Sequence, residues 1–400
     1  MITLTEASLV EFYPLHIGEP ENGQLVVGRA DTGEFIALPA EGVALVRWFQ
    51  DGLPAGEVKR RFAAQFGQAP ELDEFVAGLA DCGFVRRVDG WSHVPPPSVA
   101  ARPRGWQLFG GIPADRLAWL FSFPMRLLYW SVWVAVPVLL LIRPGLIPLA
   151  ADAWVHPRVM VNALILMVAT WALIFLHEMA HLLAVRARGC SGYLAVSHRL
   201  HYLVAQVEMS SVRTLPRSLR YGPYLAGMTW DMAVLLVCLL LQVFGVETAV
   251  PGLVAYVVAP SLVFQFGFFM RTDIYYLFVN WLDLGNLMAD TQRWLVNLLM
   301  RLLGRRPPHD LSAVPVRELR IVRWYAGFYL LGVLIVVGQF IMLGLPLAVR
   351  FAAQAGASLA RGPATVEFWD GLLFFALAGA NFGAVAWASW RERRRRQAVA

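Results

Sequence analysis

The sequence predicts an all-α polytopic membrane protein of about six transmembrane helices, preceded by a small N-terminal α+β domain. Three observations carry this. Of 400 residues, 58% are hydrophobic and only 16% charged, with a mean hydropathy of +0.55, a composition outside the range of water-soluble globules. Long uncharged runs recur from about residue 118 to the C-terminus. Residues 1–92 have none, and mix short apolar stretches with charges and turn residues.

In residues 1–92, two β-like runs, Gln24 to Gly28 and Glu34 to Leu38, flank Ala30-Asp31-Thr32-Gly33, whose Asp and Gly suit a tight hairpin. Apolar residues at three and four spacing then predict helices over roughly 41–50, 55–66 and 71–81, separated by Asp51-Gly52 and by 67–70. Phe84 to Val88 returns as a strand. Two strands, three helices and a closing strand make a winged-helix-like arrangement. Residues 93–117, with Pro95-Pro96-Pro97 and Pro103, read as a stiff linker to a membrane domain over 118–400.

Six uncharged runs follow: Leu127 to Ile142, Val159 to Leu176, Met232 to Val246, Val250 to Met270, Trp324 to Val349 and Gly371 to Trp390. Most approach the roughly 20 residues that cross a bilayer. Arginines set the expected orientation, since short cytoplasmic loops carry the positive excess. With both termini cytoplasmic, that side collects Arg102, Arg104, Arg116, Arg186, Arg188, Arg213, Arg217, Arg220, the arginines from Arg293 to Arg323, and Arg391 to Arg396. The other side keeps Arg143, Arg158, Arg350 and Arg361. No basic start followed by an apolar stretch opens the chain, so residues 1–92 are expected in the cytoplasm, at the inner face of the cell membrane.

Composition also narrows the function. The net charge of +6 would point to nucleic acid in a soluble protein, but here the arginines flank apolar runs, where topology explains them. No nucleic-acid partner is expected; lipid is. The terminal Arg391 to Arg396 run fixes the last span against anionic lipid. Cys82, Cys190 and Cys238 are far apart and form no CxxC pair, so neither a disulfide framework nor a cysteine zinc site is indicated.

The chemistry centres on His177-Glu178-Met179-Ala180-His181. Two histidines four apart on a helix share a face and can grip one zinc ion, while Glu178, about 100° round, can act as general base toward water at the metal. Such a motif is expected by chance on the order of 0.01 times in a chain of this histidine content. A catalytic zinc takes three protein ligands. His177 lies eighteen residues beyond Val159, about 27 Å at 1.5 Å per residue, near the cytoplasmic end of its span. The run from Val250 ends at Arg271-Thr272-Asp273 on the same side, making Asp273 the leading third ligand; His198 and His201 are the rivals. Asp231, a carboxylate at the start of the third span, is a supporting candidate that could orient water or substrate; Arg271 is placed beside Asp273 in a supporting role.

These motifs resemble the site-2-protease-type intramembrane metalloproteases, in their peptide zinc metalloprotease branch. The likeness covers about residues 160–300, the core motif region (159–300) of the membrane domain: Val207-Glu208-Met209-Ser210, Leu215-Pro216-Arg217, Ala226-Gly227 with Asp231, and Arg271-Thr272-Asp273-Ile274-Tyr275-Tyr276. In that family an amphipathic region follows the HExxH helix, and an Asn-Pro-x-x-x-x-Asp-Gly-Tyr-Tyr motif supplies the aspartate ligand. This chain has Gly267-Phe268 at the Asn-Pro positions and Ile274 after the aspartate. The resemblance implies a zinc-dependent endopeptidase with His177, His181 and Asp273 as ligands and Glu178 as base.

The N-terminal segment resembles the PqqD-like recognition elements of ribosomally made, post-translationally modified peptides. The likeness lies in the order hairpin (Gln24 to Leu38), helix (Ala40 to Phe49), then Glu57 to Phe66 and Leu72 to Val85. It implies binding of a precursor's leader peptide as an added strand. A DNA-binding winged helix is the rival, but Glu71 to Cys82 carries Glu71, Asp73, Glu74 and Asp81 and no Lys or Arg. Together these readings predict a protease that binds and cleaves a precursor peptide. The alternatives are a regulatory protease acting on a membrane-bound regulator and a non-proteolytic recognition or export subunit.

Overall fold

The computed structural model describes residues 2–18, 20, 24–29, 32, 34–92, 106–199, 202–246, 248–284, 286–312 and 314–399. They form two compact units: residues 1–120, 182–196 and 205–223 in one, and 121–181, 197–204 and 224–400 in the other. The expected 93–105 part of the linker, Ala30, Asp31 and Gly33 of the expected turn, and His201 lie outside the described residues.

In the first unit, β1 (Val10–Phe12) and β2 (His16–Ile17) precede β3 (Gln24–Arg29) and β4 (Glu34–Pro39), which pair antiparallel from Gln24 opposite Pro39 to Arg29 opposite Glu34. Helices α1 (Ala40–Gln50), α2 (Ala55–Phe66) and α3 (Leu72–Asp81) follow, then β5 (Val85–Val88) and β6 (Trp91–Ser92). The strands lie in the orders β2-β3-β4 and β1-β5-β6. One apolar face of each helix closes on Val46, Val58, Val76, Phe84 and Val85, all fully buried. Burying each such side chain contributes about 1.5–3 kcal/mol.

Local signals set the boundaries here. Pro54 precedes the first turn of α2, and Gly67 ends it at φ 72°, a left-handed cap that favours glycine. Arg60 and Arg61 both donate to Glu57 and hold its carboxyl below the ordinary range, an exposed pairing of little energetic weight. Asp89 closes the β5–β6 turn and accepts from Ser8 Oγ and Leu9 N, each at 2.8 Å.

The remainder of the chain is mostly helical. Its helices are α4 (Phe123–Ile142), α5 (Val159–Ala187), α6 (Arg217–Val243), α7 (Ala249–Phe264), α8 (Asp273–Leu282), α9 (Leu287–Leu302), α10 (Val316–Gln339), α11 (Leu345–Leu359) and α12 (Val366–Val399). Strands β7 (Tyr193–Arg199) and β8 (Tyr202–Glu208) form a two-stranded sheet between α5 and α6 in chain order, where the resemblance implies an amphipathic region. A π-turn, Phe340–Gly344, joins α10 to α11.

Among the described residues, four helical segments are long and apolar enough to cross a membrane: α4, α5, α6 and the 44 residues from Val316 to Leu359. Most of their apolar side chains point outward: 11% of the most apolar window is buried in α4 and in α5 and 6% in the last segment, against 39% in α6. Such surfaces need lipid around them, and they mark this as a membrane protein. Helix α7 is shorter, at 16 residues. The uncharged run that extends to Met270 is therefore one helix followed by a turn. That turn is braced from α10: Tyr325, fully buried, donates its hydroxyl to Phe268 O at 2.7 Å. Gly332 packs so closely on Phe266 and Phe268 that a Cβ would strike their backbone.

Candidate metal centre

The site is assembled from three helices of the second unit. Helix α5 places His177 and His181 one turn apart, both buried. Helix α8 begins at Asp273. Helix α6 contributes Gly227 and Asp231, four residues apart and so on one face. The rotation of α6 is fixed by the adjoining face, where Met228, Leu235 and Leu239 enter the core, and by Trp133 Nε1, which donates to Thr229 Oγ1 at 3.1 Å.

Three donor atoms converge. His177 Nε2 and His181 Nε2 are 3.2 Å apart, and Asp273 Oδ2 lies 3.2 Å from the first and 3.3 Å from the second. Among the described residues this is the group of His, Cys, Asp and Glu placed to hold a metal ion. As ion pairs, these contacts would need two imidazolium protons aimed at one oxygen. Yet Asp273 Oδ2 is buried and makes no hydrogen bond.

The His177 tautomer points the same way. Its Nδ1 lies 2.8 Å from Asp231 Oδ2, and a carboxylate oxygen accepts, so the proton belongs on Nδ1, and the neutral ring that a metal requires would present its lone pair at Nε2. Atoms bound to a tetrahedral ion at about 2.0–2.1 Å lie about 3.3 Å from one another, the spacing found here. A buried acceptor without a donor, beside two imidazole nitrogens at ligand spacing, fits a divalent cation.

Room for the ion depends on Gly227. A Cβ on that residue would collide with Nε2 of both histidines, so the face between α5 and α6 is open only because this position has no side chain. Glu178, next to His177 and half-buried, stands about 100° round the helix from the ligand face.

Asp273 is itself held. Its backbone N–H donates to Gln265 Oε1 at 3.0 Å, and Thr272 Oγ1 donates to Gln265 O at 2.8 Å. The side chain of Gln265 thereby satisfies one orphan N–H at the start of α8. Asp273→Ala is expected to take bound metal from one per chain to well below one, measured by elemental analysis of protein purified with its lipid. Unchanged stoichiometry would move the third ligand elsewhere.

The structure thus brings together four of the six residues singled out from sequence as ligands, base or support: His177, His181, Asp273 and Asp231. Glu178 stands on the adjoining helix position, and Arg271 is exposed in the turn before α8. The side chain of His198 is outside the described residues. The roles of Gly227 and Gln265 were missed. The pair Ala226-Gly227 was visible, but the steric demand on it appears only when α5 is laid against α6. No protein-family model, curated protein or solved structure matches the chain.

Proposed function

We propose that this chain is an intramembrane zinc metalloprotease that binds the leader of a ribosomally made precursor peptide and cleaves it during maturation. The observation that carries the reading is the 3.2–3.3 Å triangle of His177 Nε2, His181 Nε2 and Asp273 Oδ2, with Glu178 one residue from the first ligand. His177, His181 and Asp273 would hold the ion. Zinc bound in such a set supplies Lewis acidity toward a scissile carbonyl and acidifies water toward neutrality.

The chain's own residues do the rest. The Glu178 carboxylate takes the proton from water as oxygen attacks the carbonyl carbon, then delivers it to the leaving amine nitrogen as the C–N bond breaks. The Asn-Pro of the resembled family is absent, but Gln265, Tyr325 and Gly332 offer another means of ending α7 and presenting Asp273. Counting α7 and α12 as crossings gives six, with both termini cytoplasmic.

Residues 1–92, taken as a winged-helix-like peptide-recognition domain, would put leader binding on that same side. Strand β4 pairs only with β3 among the described strands, leaving an edge on which an extended peptide can add. Helix α3 bears Asp73, Glu74 and Asp81 and no basic residue, which disfavours phosphate contact.

The test uses the full chain in lipid nanodiscs with a precursor peptide. Cleavage should be seen by mass spectrometry, stop with a zinc chelator and return with added zinc, and the leader alone should compete. A precursor that stays whole at one zinc per chain, or retention of duplex DNA instead of leader, would sink the proposal.

A further inference from the structure

We propose that Asp231 is a positioning residue of the metal centre: its carboxylate fixes the proton of His177 on Nδ1 and so turns Nε2 into a permanent metal ligand. The inference rests on the metal reading of the site, and it gives Asp231 a different task from orienting water or substrate.

Geometry separates the two tasks. Asp231 Oδ2 is already engaged with His177 Nδ1 at 2.8 Å, and its side chain is only 5% exposed, so it has little surface to offer a substrate. The contact joins residues 54 apart in sequence, on two helices whose packing is independently set. A histidine held this way cannot exchange tautomers without losing a buried hydrogen bond, which keeps the lone pair aimed into the triangle.

The choice of aspartate over asparagine has its own consequence. An amide could rotate and donate to Nδ1, sending the imidazole proton to Nε2 and into the space for the ion; a carboxylate has no proton to give. With Gly227 one turn earlier, α6 therefore fulfils two conditions on one face: space at the Nε2 atoms and a fixed tautomer behind one of them.

Asp231→Asn and Asp231→Ala in the full chain test this, with zinc affinity read by chelator competition and ligand geometry by the visible spectrum of the cobalt(II)-loaded protein. Asp231→Ala should weaken zinc binding about 10–100-fold. The isosteric Asp231→Asn should keep the wild-type melting temperature yet bind more weakly than wild type and shift the cobalt bands, which a merely structural role would not do. If Asp231→Ala does not assemble, Asp231→Asn decides. Wild-type affinity and an unchanged cobalt spectrum in Asp231→Asn would overturn the inference while leaving the metal site standing. A wild-type protein that takes up neither zinc nor cobalt would overturn the metal reading itself.

Discussion

Glu178→Gln is expected to retain one zinc per chain and to lower precursor cleavage by about 10²–10⁴-fold, the range for loss of a positioned general base. The substitution keeps the size and hydrogen-bonding shape of the side chain, and Glu178 is not part of the converging donor triangle. Metal content and catalysis should therefore separate. That separation distinguishes a protease from a recognition or export subunit with structural zinc. Precursor processing at an unchanged rate in membranes containing Glu178→Gln would show that this carboxylate moves no proton.

Gly227→Ala should have an effect of the opposite kind, eliminating metal uptake with the helix intact. By intrinsic propensity, alanine in place of glycine inside a helix stabilises it by about 0.5–1 kcal/mol. The added methyl has one specific cost: it strikes Nε2 of both His177 and His181. The expected result is a metal-free protein that still assembles, its helix gain offset by about 1–3 kcal/mol of crowding at the histidines, with zinc stoichiometry near zero. Full zinc occupancy in Gly227→Ala would mean that the ion does not sit against this face of α6.

Much of this centre was legible in the sequence because its first part is local. The spacing of His177 and His181 within one helical turn is a property of the helix alone, and Asp273 could be proposed by matching depth along two spans. What connects Asp231 to His177 is long-range packing, and no periodicity in either segment encodes it. Hydropathy was blind to the end of α7, because Phe266, Phe268, Phe269 and Met270 are as apolar as the helix before them; the break shows only in the packing of Tyr325 and Gly332. Likewise α10 begins at Val316, well before the uncharged run, since Arg317, Glu318, Arg320 and Arg323 lie along a helix that hydropathy starts only at Trp324.

In the N-terminal region the three helices and the β3–β4 pairing follow from local patterns and match the sequence reading closely. Strand β1 was missed, since its three residues become a strand only by pairing with β5. The β7–β8 sheet was missed for a different reason. Tyr193–Arg199 and Tyr202–Glu208 carry β-favouring Tyr and Val, but their polar residues read equally well as one face of an amphipathic segment.

The first turn of α5 sets a distance between a fixed point on the helix and the candidate metal centre. Asp370, buried on α12, accepts from the backbone N–H of Val159 at 2.7 Å and of Met160 at 3.2 Å. This pins one end of a 29-residue helix that is about 43 Å long, against a hydrocarbon layer of about 30 Å. The helix is a ruler with a fixed zero. His177 stands about 27 Å along it, so the pinned turn and the buried histidines are separated by a distance close to the thickness of one such layer.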